Sequence, residues 1–397
     1  MIRKTKTFLK ELGTELNSHI LPFWINRMTD KENKGFYGRI DGHNKVDPEA
    51  GKGSVLNARI LWTFSAAFNA THEEDYLNMA NQAYDYCIKF FLNRQQGGVY
   101  WLLDPRGKPL EKKNQIYALA FMVYGMSEYY KATGISQAVE ESVNLFHLIE
   151  KYSFDNSRNG YFEAFDENWE LLQDLRLSDK DANEKKTMNT HLHILEAYTN
   201  LYRTWDDPFL LKQLKNLILL FFEKIIDPET WHFKLFFDEN WNSRDSTFSF
   251  GHDIEGSWLI QEAAVASGDE KLIAQSKEVA VRMVDRIIAE GIDQDGGLFN
   301  EGRGNRIHDT DKHWWPQAEA LVGLINAWEI TGQQKYFDQA LHVWEFIKKN
   351  IIDRKKGEWF FRVSQDGKPY VEEDKAGLWK CPYHNSRACL ELIHRLK

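Results

Sequence analysis

The stretch FSFGHDIEGSW, residues 248 to 258, sets His252 and Glu255 three residues apart where an apolar run passes into helical periodicity. The same phase of the chain carries Arg59 in LNARILW, Asn189 and His193 in MNTHLHILEA, and Trp315, Gln317 and Glu319 in HWWPQAEA; Trp379 and His384 follow in LWKCPYHNSRA. Imidazoles titrate near neutrality, so two of them can act as base and acid in one reaction. Arg59 lies inside an otherwise apolar segment, where a guanidinium needs a partner or an anionic ligand. A lone histidine at a helix start is ordinarily a cap neighbour or a satisfied surface group, but three at one phase make a catalytic set the better reading. Asp253 reads as a helix cap, Trp258 and Trp328 as core. His191, two residues before His193, faces away from it on a helix and reads as structural.

Three chemistries fit parts of this inventory. A metal centre is not expected, because the sequence has no HExxH, no Cys/His cluster and no carboxylate-rich loop of the calcium type. An inverting glycoside hydrolase needs two carboxylates about 6.5–9.5 Å apart. Glu255 and Glu319 are candidates, yet that mechanism leaves three histidines and Arg59 without work. Proton abstraction next to a carbonyl uses the set better: two imidazoles serve the two faces of the carbon, while Arg59 and a third imidazole stabilise the enediolate oxygens. This chemistry needs no cofactor, and neither GxSxG nor GxGxxG occurs.

The elements that must position these residues follow from an internal repeat. Hairpin-like stretches recur as GFYGRIDGHNK, GGVYWLLDPRGKPL, GYFEAFDENWELL, WHFKLFFDENWNSR, GGLFNEGRGNR and GEWFFRVSQDGKPY. Aligned on Gly35, Gly98, Gly160, Thr230, Gly297 and Gly357, they are spaced by 63, 62, 70, 67 and 60 residues. Between them the hydrophobic period changes to about 3.6, that of an amphipathic helix. In KNQIYALAFMVYGMSEYYKATG the apolar positions share one broad face and Gly134 is the stop. Two helices and a hairpin in each of six units predict an all-α (α/α)6 barrel, with twelve helices in two rings and short β-hairpins between repeats; a linear solenoid is the alternative. Small-residue faces such as ALAFMVYG and QAEALVGL suit the close packing of an inner ring. No linker-like stretch interrupts the chain, so residues 1–397 read as one catalytic domain, and no outer helix is apolar enough to suggest more than a monomer.

Composition narrows the partners. The net charge is −9, with no Lys/Arg block, which argues against nucleic acid or an anionic membrane surface. The N-terminus lacks a secretory h-region and no apolar run spans a bilayer. The three cysteines form no CxxC pattern and read as small buried apolar residues in a reducing compartment, so a cytoplasmic protein with a small neutral substrate is expected.

LNARILWTFS, MNTHLHILEAY, GHDIEGSWL, WWPQAEA and KCPYHN, in this order along nearly the whole chain, resemble the cellobiose 2-epimerase family within the N-acylglucosamine 2-epimerase superfamily. The resemblance implies an (α/α)6 barrel that interconverts glucose and mannose at the reducing end of β-1,4-linked disaccharides such as cellobiose, lactose and mannobiose, without metal or nucleotide. It implies His252 and His384 as the acid/base pair at C2, His193 as the residue that assists ring opening, and Arg59 as partner of the sugar oxygens. Tyr117, Asn189 and Glu255 match positions that hydrogen-bond the reducing-end sugar; Trp315 and Trp379 match aromatic residues that pack on the disaccharide. An N-acylglucosamine 2-epimerase and a non-catalytic sugar-binding module are the remaining alternatives.

Overall fold

The computed structural model of the protein describes residues 2–243 and 245–397. Among these residues six inner helices, Ser54–Thr71, Ile116–Thr133, Met188–Tyr202, Phe250–Ser267, Trp314–Thr331 and Tyr383–Arg395, alternate with six outer ones. The outer ring comprises Ile2–Glu15, prolonged through Leu16–Ile20 into Leu21–Met28, then Glu74–Tyr86, Ser136–Leu148, Pro208–Leu220, Glu270–Glu290 and Gln334–Phe346. Each inner helix packs on the next and the sixth returns to the first, so the ring closes and the linear solenoid is ruled out. The architecture is the (α/α)6 barrel that the repeat predicts.

Close approach within the inner ring needs small residues. A Cβ on Gly125 would lie 2.7 Å from the Ala58 carbonyl oxygen of the neighbouring helix, and one on Gly323 would lie 3.0 Å from that of Ile254. Gly134 ends its helix in the left-handed region, at φ 70°, as expected. One expectation fails. The first five inner helices are not amphipathic, as Ile116 through Tyr129, buried on every face, illustrates, because each touches two ring neighbours, the outer ring and the barrel interior. The amphipathic reading holds for the outer ring.

Short strands fix all inner-helix N-termini at one mouth. The strand entering each inner helix pairs antiparallel with the hairpin of the next unit, as in Gly53↔Leu102, Gln115↔Ala164, Thr187↔Phe236, Ser249↔Glu301 and His313↔Arg362. The last unit closes on the first through the Ile40 N–H, which donates to the Ala376 carbonyl at 2.9 Å. Buried lysines clamp four of these turns: Lys52 on Asp30, Lys186 on Asp155, Lys312 on Asp293 and Lys375 on Asp353.

A second clip comes from the fourth residue of three inner helices. His191 Nε2 accepts from the Tyr161 N–H at 2.9 Å, Asp253 from the Phe233 N–H at 2.8 Å, and Gln317 Oε1 from the Leu298 N–H at 2.7 Å. Asp253 is therefore not a cap. Ser249 caps that helix by accepting from the His252 N–H, while Asp253 is buried against the hairpin and also accepts from His232 Nδ1 at 2.7 Å. His191 is held at both nitrogens, its Nδ1 donating to the Thr187 carbonyl at 2.6 Å, which fits the structural reading. Trp258 is core as expected, Trp328 is half-buried against Phe337, and all three cysteines are buried.

Candidate active site

Rank along the inner helices sets depth in the barrel. Counted from the first helical residue, the second position holds Tyr117, Asn189, Trp315 and His384 in four of the six units, and the sixth holds Arg59, His193, Glu255 and Glu319 in four. Four residues advance about 6 Å along a helix and return to nearly the same face. The two sets thus form an upper and a lower layer pointing to the barrel axis, with His252 between them. Residues at the fourth position turn the other way, which separates His191 from His193.

Nine of the residues singled out in the sequence line one cavity of about 250 Å³: Arg59, Tyr117, Asn189, His193, His252, Glu255, Trp315, Trp379 and His384; Gln317 and Glu319 lie off its wall. Ser178, Lys180 and Asp181, from the segment before the third inner helix, complete its wall together with His313, Trp314 and Phe361. His252 and His384 both pack against Trp315, with ring centroids 4.7 and 5.5 Å from the indole. Trp379 packs against Trp101 and Tyr117, each at 6.0 Å.

Each imidazole has a different backing. His193 Nδ1 meets Glu196 Oε2 at 2.9 Å and His384 Nδ1 meets Glu319 Oε1 at 2.7 Å. A carboxylate accepts, so Nδ1 carries the proton in both rings and Nε2 is left as the free nitrogen. His252 Nδ1 is buried without a partner. Burial pushes His252 down to about 3, and the neighbouring His193 adds to the effect. His384 is held well below the ordinary histidine range by burial first and by Arg59 and Arg387 next. Burial thus disfavours the charged form of both rings, which leaves either of them competent as a base.

Arg59 is 3 % exposed, donates from Nη2 to the Tyr117 hydroxyl at 2.8 Å, and lies over the Phe121 ring at 4.2 Å. Its Nε and the Asn189 Oδ1 have no partner. Both belong to residues that line the cavity and are buried polar atoms without a partner, which a polar ligand would satisfy.

Below the cavity lies a cluster that sequence reasoning missed. Arg387 donates to Glu196 on one helix, to Glu255 at 2.6 Å on a second and to Glu319 at 2.7 Å on a third. Glu255 is raised by burial and by Glu319, with the Arg387 guanidinium working in the opposite direction. Glu196 is lowered: burial works against its charge, but Arg387 and His193 prevail. The i,i+3 spacing of His193 with Glu196 and of His384 with Arg387 was the available signal, since such pairs share a helix face. Glu255, Glu319 and His384 bring ligand atoms within 4.8 Å of one another, and the cation these carboxylates face is the Arg387 guanidinium. That separation is also too short for an inverting hydrolase, whose carboxylates need room for a water.

Among the described residues no helix is long and apolar enough to cross a membrane. Residues 35–388 match the family model of N-acylglucosamine 2-epimerase (GlcNAc 2-epimerase). A cellobiose 2-epimerase of Bacteroides fragilis is 50% identical over 97% of this chain and 98% of its own length, and one of Dictyoglomus turgidum is 39% identical over 98% and 99%. The solved cellobiose 2-epimerase of Bacillus thermoamylovorans B4167 superposes with a TM-score of 0.94 at 41% identity, covering 98% of this chain and all of that one. The chain thus belongs to the N-acylglucosamine 2-epimerase family, in its cellobiose 2-epimerase branch, and is an epimerase of the isomerase class.

Proposed function

We propose that this epimerase reversibly inverts C2 of the reducing-end sugar of β-1,4-linked disaccharides, converting cellobiose or lactose to the 4-O-glycosyl-mannose and mannobiose to mannosyl-glucose. The observation that carries this reading is one cavity in which the imidazoles of His252 and His384 both pack on Trp315, with the Arg59 guanidinium, its Nε without a partner, in the same wall. The cellobiose 2-epimerases to which the chain is similar supply the substrate class.

In the proposed reaction the pyranose opens with help from His193, leaving an aldehyde at C1. One imidazole of the His252 and His384 pair takes the proton from C2, and the electron pair moves through the C1–C2 bond onto O1. Arg59 meets that charge as the cis-enediolate forms. Rotation about C2–C3 then presents the other face; the partner imidazole, which has taken up a proton from solvent in the substrate complex, gives that proton to C2, and the first imidazole releases the proton it took to solvent. The reverse direction exchanges the two roles. Burial disfavours an imidazolium, and the negative charge of the enediolate offsets that penalty. Tyr117, Asn189 and Glu255 hydrogen-bond the reducing-end sugar, and Trp315 and Trp379 pack on its faces.

Proton NMR of the protein with cellobiose in D₂O tests the reading. The expected product is 4-O-β-glucosyl-mannose with deuterium at C2, and His252→Asn and His384→Asn are expected to abolish it without altering the circular dichroism. Near-native turnover in either variant would show the two-imidazole assignment to be wrong. Release of free glucose would favour hydrolysis, and turnover of N-acetylglucosamine alone would move the substrate class to the acylated sugars.

A further inference from the structure

We infer that Arg387 is a positioning residue for this reaction: the shared cation that orients the carboxylates behind His193 and His384 so that both rings turn Nε2 to the substrate. The inference rests on the proposed role of those imidazoles. Arg387 is fully buried and lies off the cavity wall, so it does not touch the sugar. It sits three residues after His384 on the sixth inner helix, with its guanidinium between the rings of Tyr383, at 4.2 Å, and Trp258, at 4.8 Å. Nη1 donates to Glu196 and to the Tyr383 hydroxyl; Nη2 donates to Glu255 and Glu319. Tyr383 in turn donates to Glu196. Glu196 and Glu319 are the groups that accept from Nδ1 of His193 and His384.

The planar fork is what one point charge cannot replace. Two nitrogens address carboxylates on three helices at once, and an ammonium offers a single centre. Without the fork, carboxylates crowded in a dry site take up protons from solvent, because burial and mutual repulsion both disfavour their charge. A protonated Glu319 carries an O–H that donates to His384 Nδ1, and the imidazole proton then resides on Nε2. The ring meets the substrate with an N–H where a lone pair is needed. The same argument applies to Glu196 and His193.

The test uses the full chain carrying ¹⁵N-labelled histidine, as wild type, Arg387→Lys and Arg387→Met. Imidazole ¹⁵N shifts distinguish the two neutral tautomers, and steady-state epimerisation of cellobiose is followed against pH. The wild type is expected to show the Nδ1–H tautomer at His193 and His384. Both variants are expected to move at least one ring to Nε2–H and to lose roughly 10²–10⁴-fold in kcat, as a wrong tautomer does elsewhere, with KM within about threefold because no substrate contact is removed. Their acid limb should move to higher pH, since the carboxylates must first ionise. Folded variants with native tautomers and an unchanged pH profile would overturn the inference, whatever their activity. So would a wild-type spectrum with Nε2–H at either ring, which decides the matter even if neither variant folds. Activity surviving in His384→Asn would instead refute the two-imidazole reading, and the tautomer measurement would still stand on its own.

Discussion

Glu319→Gln is the substitution whose consequence follows most directly from a count of donors and acceptors. Both Glu319 oxygens accept: Oε1 from His384 Nδ1 at 2.7 Å and from Arg387 Nη2 at 2.7 Å, Oε2 from Trp258 Nε1 at 3.0 Å. Glutamine has the same shape but only one acceptor, so one side must meet a donor with a donor. If the amide NH₂ faces Trp258, a buried indole N–H loses its partner, at about 1–3 kcal/mol, and the charge that stabilises a His384 imidazolium is gone. If it faces His384, the imidazole must accept at Nδ1, and Nε2 becomes an N–H. The first arrangement should cost roughly 10–100-fold in kcat, from the loss of a charge-assisted bond worth about 1.5–3 kcal/mol, and the second up to about 10⁴-fold. Either way KM should change little and urea unfolding should show a loss of roughly 1–3 kcal/mol. The assay is initial-rate epimerisation of cellobiose with and without D₂O. A variant within threefold of wild-type kcat would refute the role assigned to Glu319, and a large rise in KM at constant kcat would recast it as a substrate contact.

Three further outcomes are expected. In Gly251→Ala the new Cβ would lie 2.5 Å from Trp315 Cη2 and 2.8 Å from Pro316 Cγ, so the indole on which both histidines pack must shift, and kcat/KM should fall roughly tenfold or more with little change in circular dichroism. His191 is lowered to about 4 by burial, below its unfolded value of about 6.5; the unfolded chain therefore binds a proton that the fold refuses, and stability is lost as pH falls from 6.5 to 4, by about 3 kcal/mol in all. His191→Gln, which reproduces the bonding of Gln317 in the fifth repeat, should hold its stability at pH 7 and flatten that acid slope in urea melts; an unchanged slope would contradict the assignment. Lys186→Met leaves Asp155 buried opposite an apolar group, where Lys186 Nζ had stood at 2.8 Å, and should cost about 3–5 kcal/mol in the same melts.

Much of the site was legible because the fold repeats. Arg59, His193, Glu255 and Glu319 fall at the same rank of four of the six inner helices, and a closed ring carries equal rank to equal depth. The separation of His193 from His191 was legible too, since helical periodicity alone sends residues two apart to different faces. The acid in GHDIE was misread. A cap and a hairpin clip both call for a short acceptor near a helix start, and only the placement of the Phe233 N–H tells them apart. The burial of the first five inner helices on all sides was likewise hidden, because their apolar stripes look like those of the outer ring until the number of packing neighbours is known.

The amino-acid sequence by itself determined the six-unit barrel, the mouth at which the chemistry lies and a core of its lining, Arg59, Asn189, His193, His252, Glu255, Trp315 and His384, since these follow from local period and from phase within a repeat. Tyr117 came from the family resemblance, and Ser178, Lys180 and Asp181 only from the structure. Only the tertiary structure decided what stands behind them. Arg387 reaches Glu196, Glu255 and Glu319 across sequence separations of 191, 132 and 68 residues, and no periodicity within one helix predicts which side chains meet across the axis of a ring. That meeting depends on how six helices close on one another. The same closure removes water from the barrel floor, and there the tautomers and charges of the site are set by distant partners rather than by neighbours in the chain.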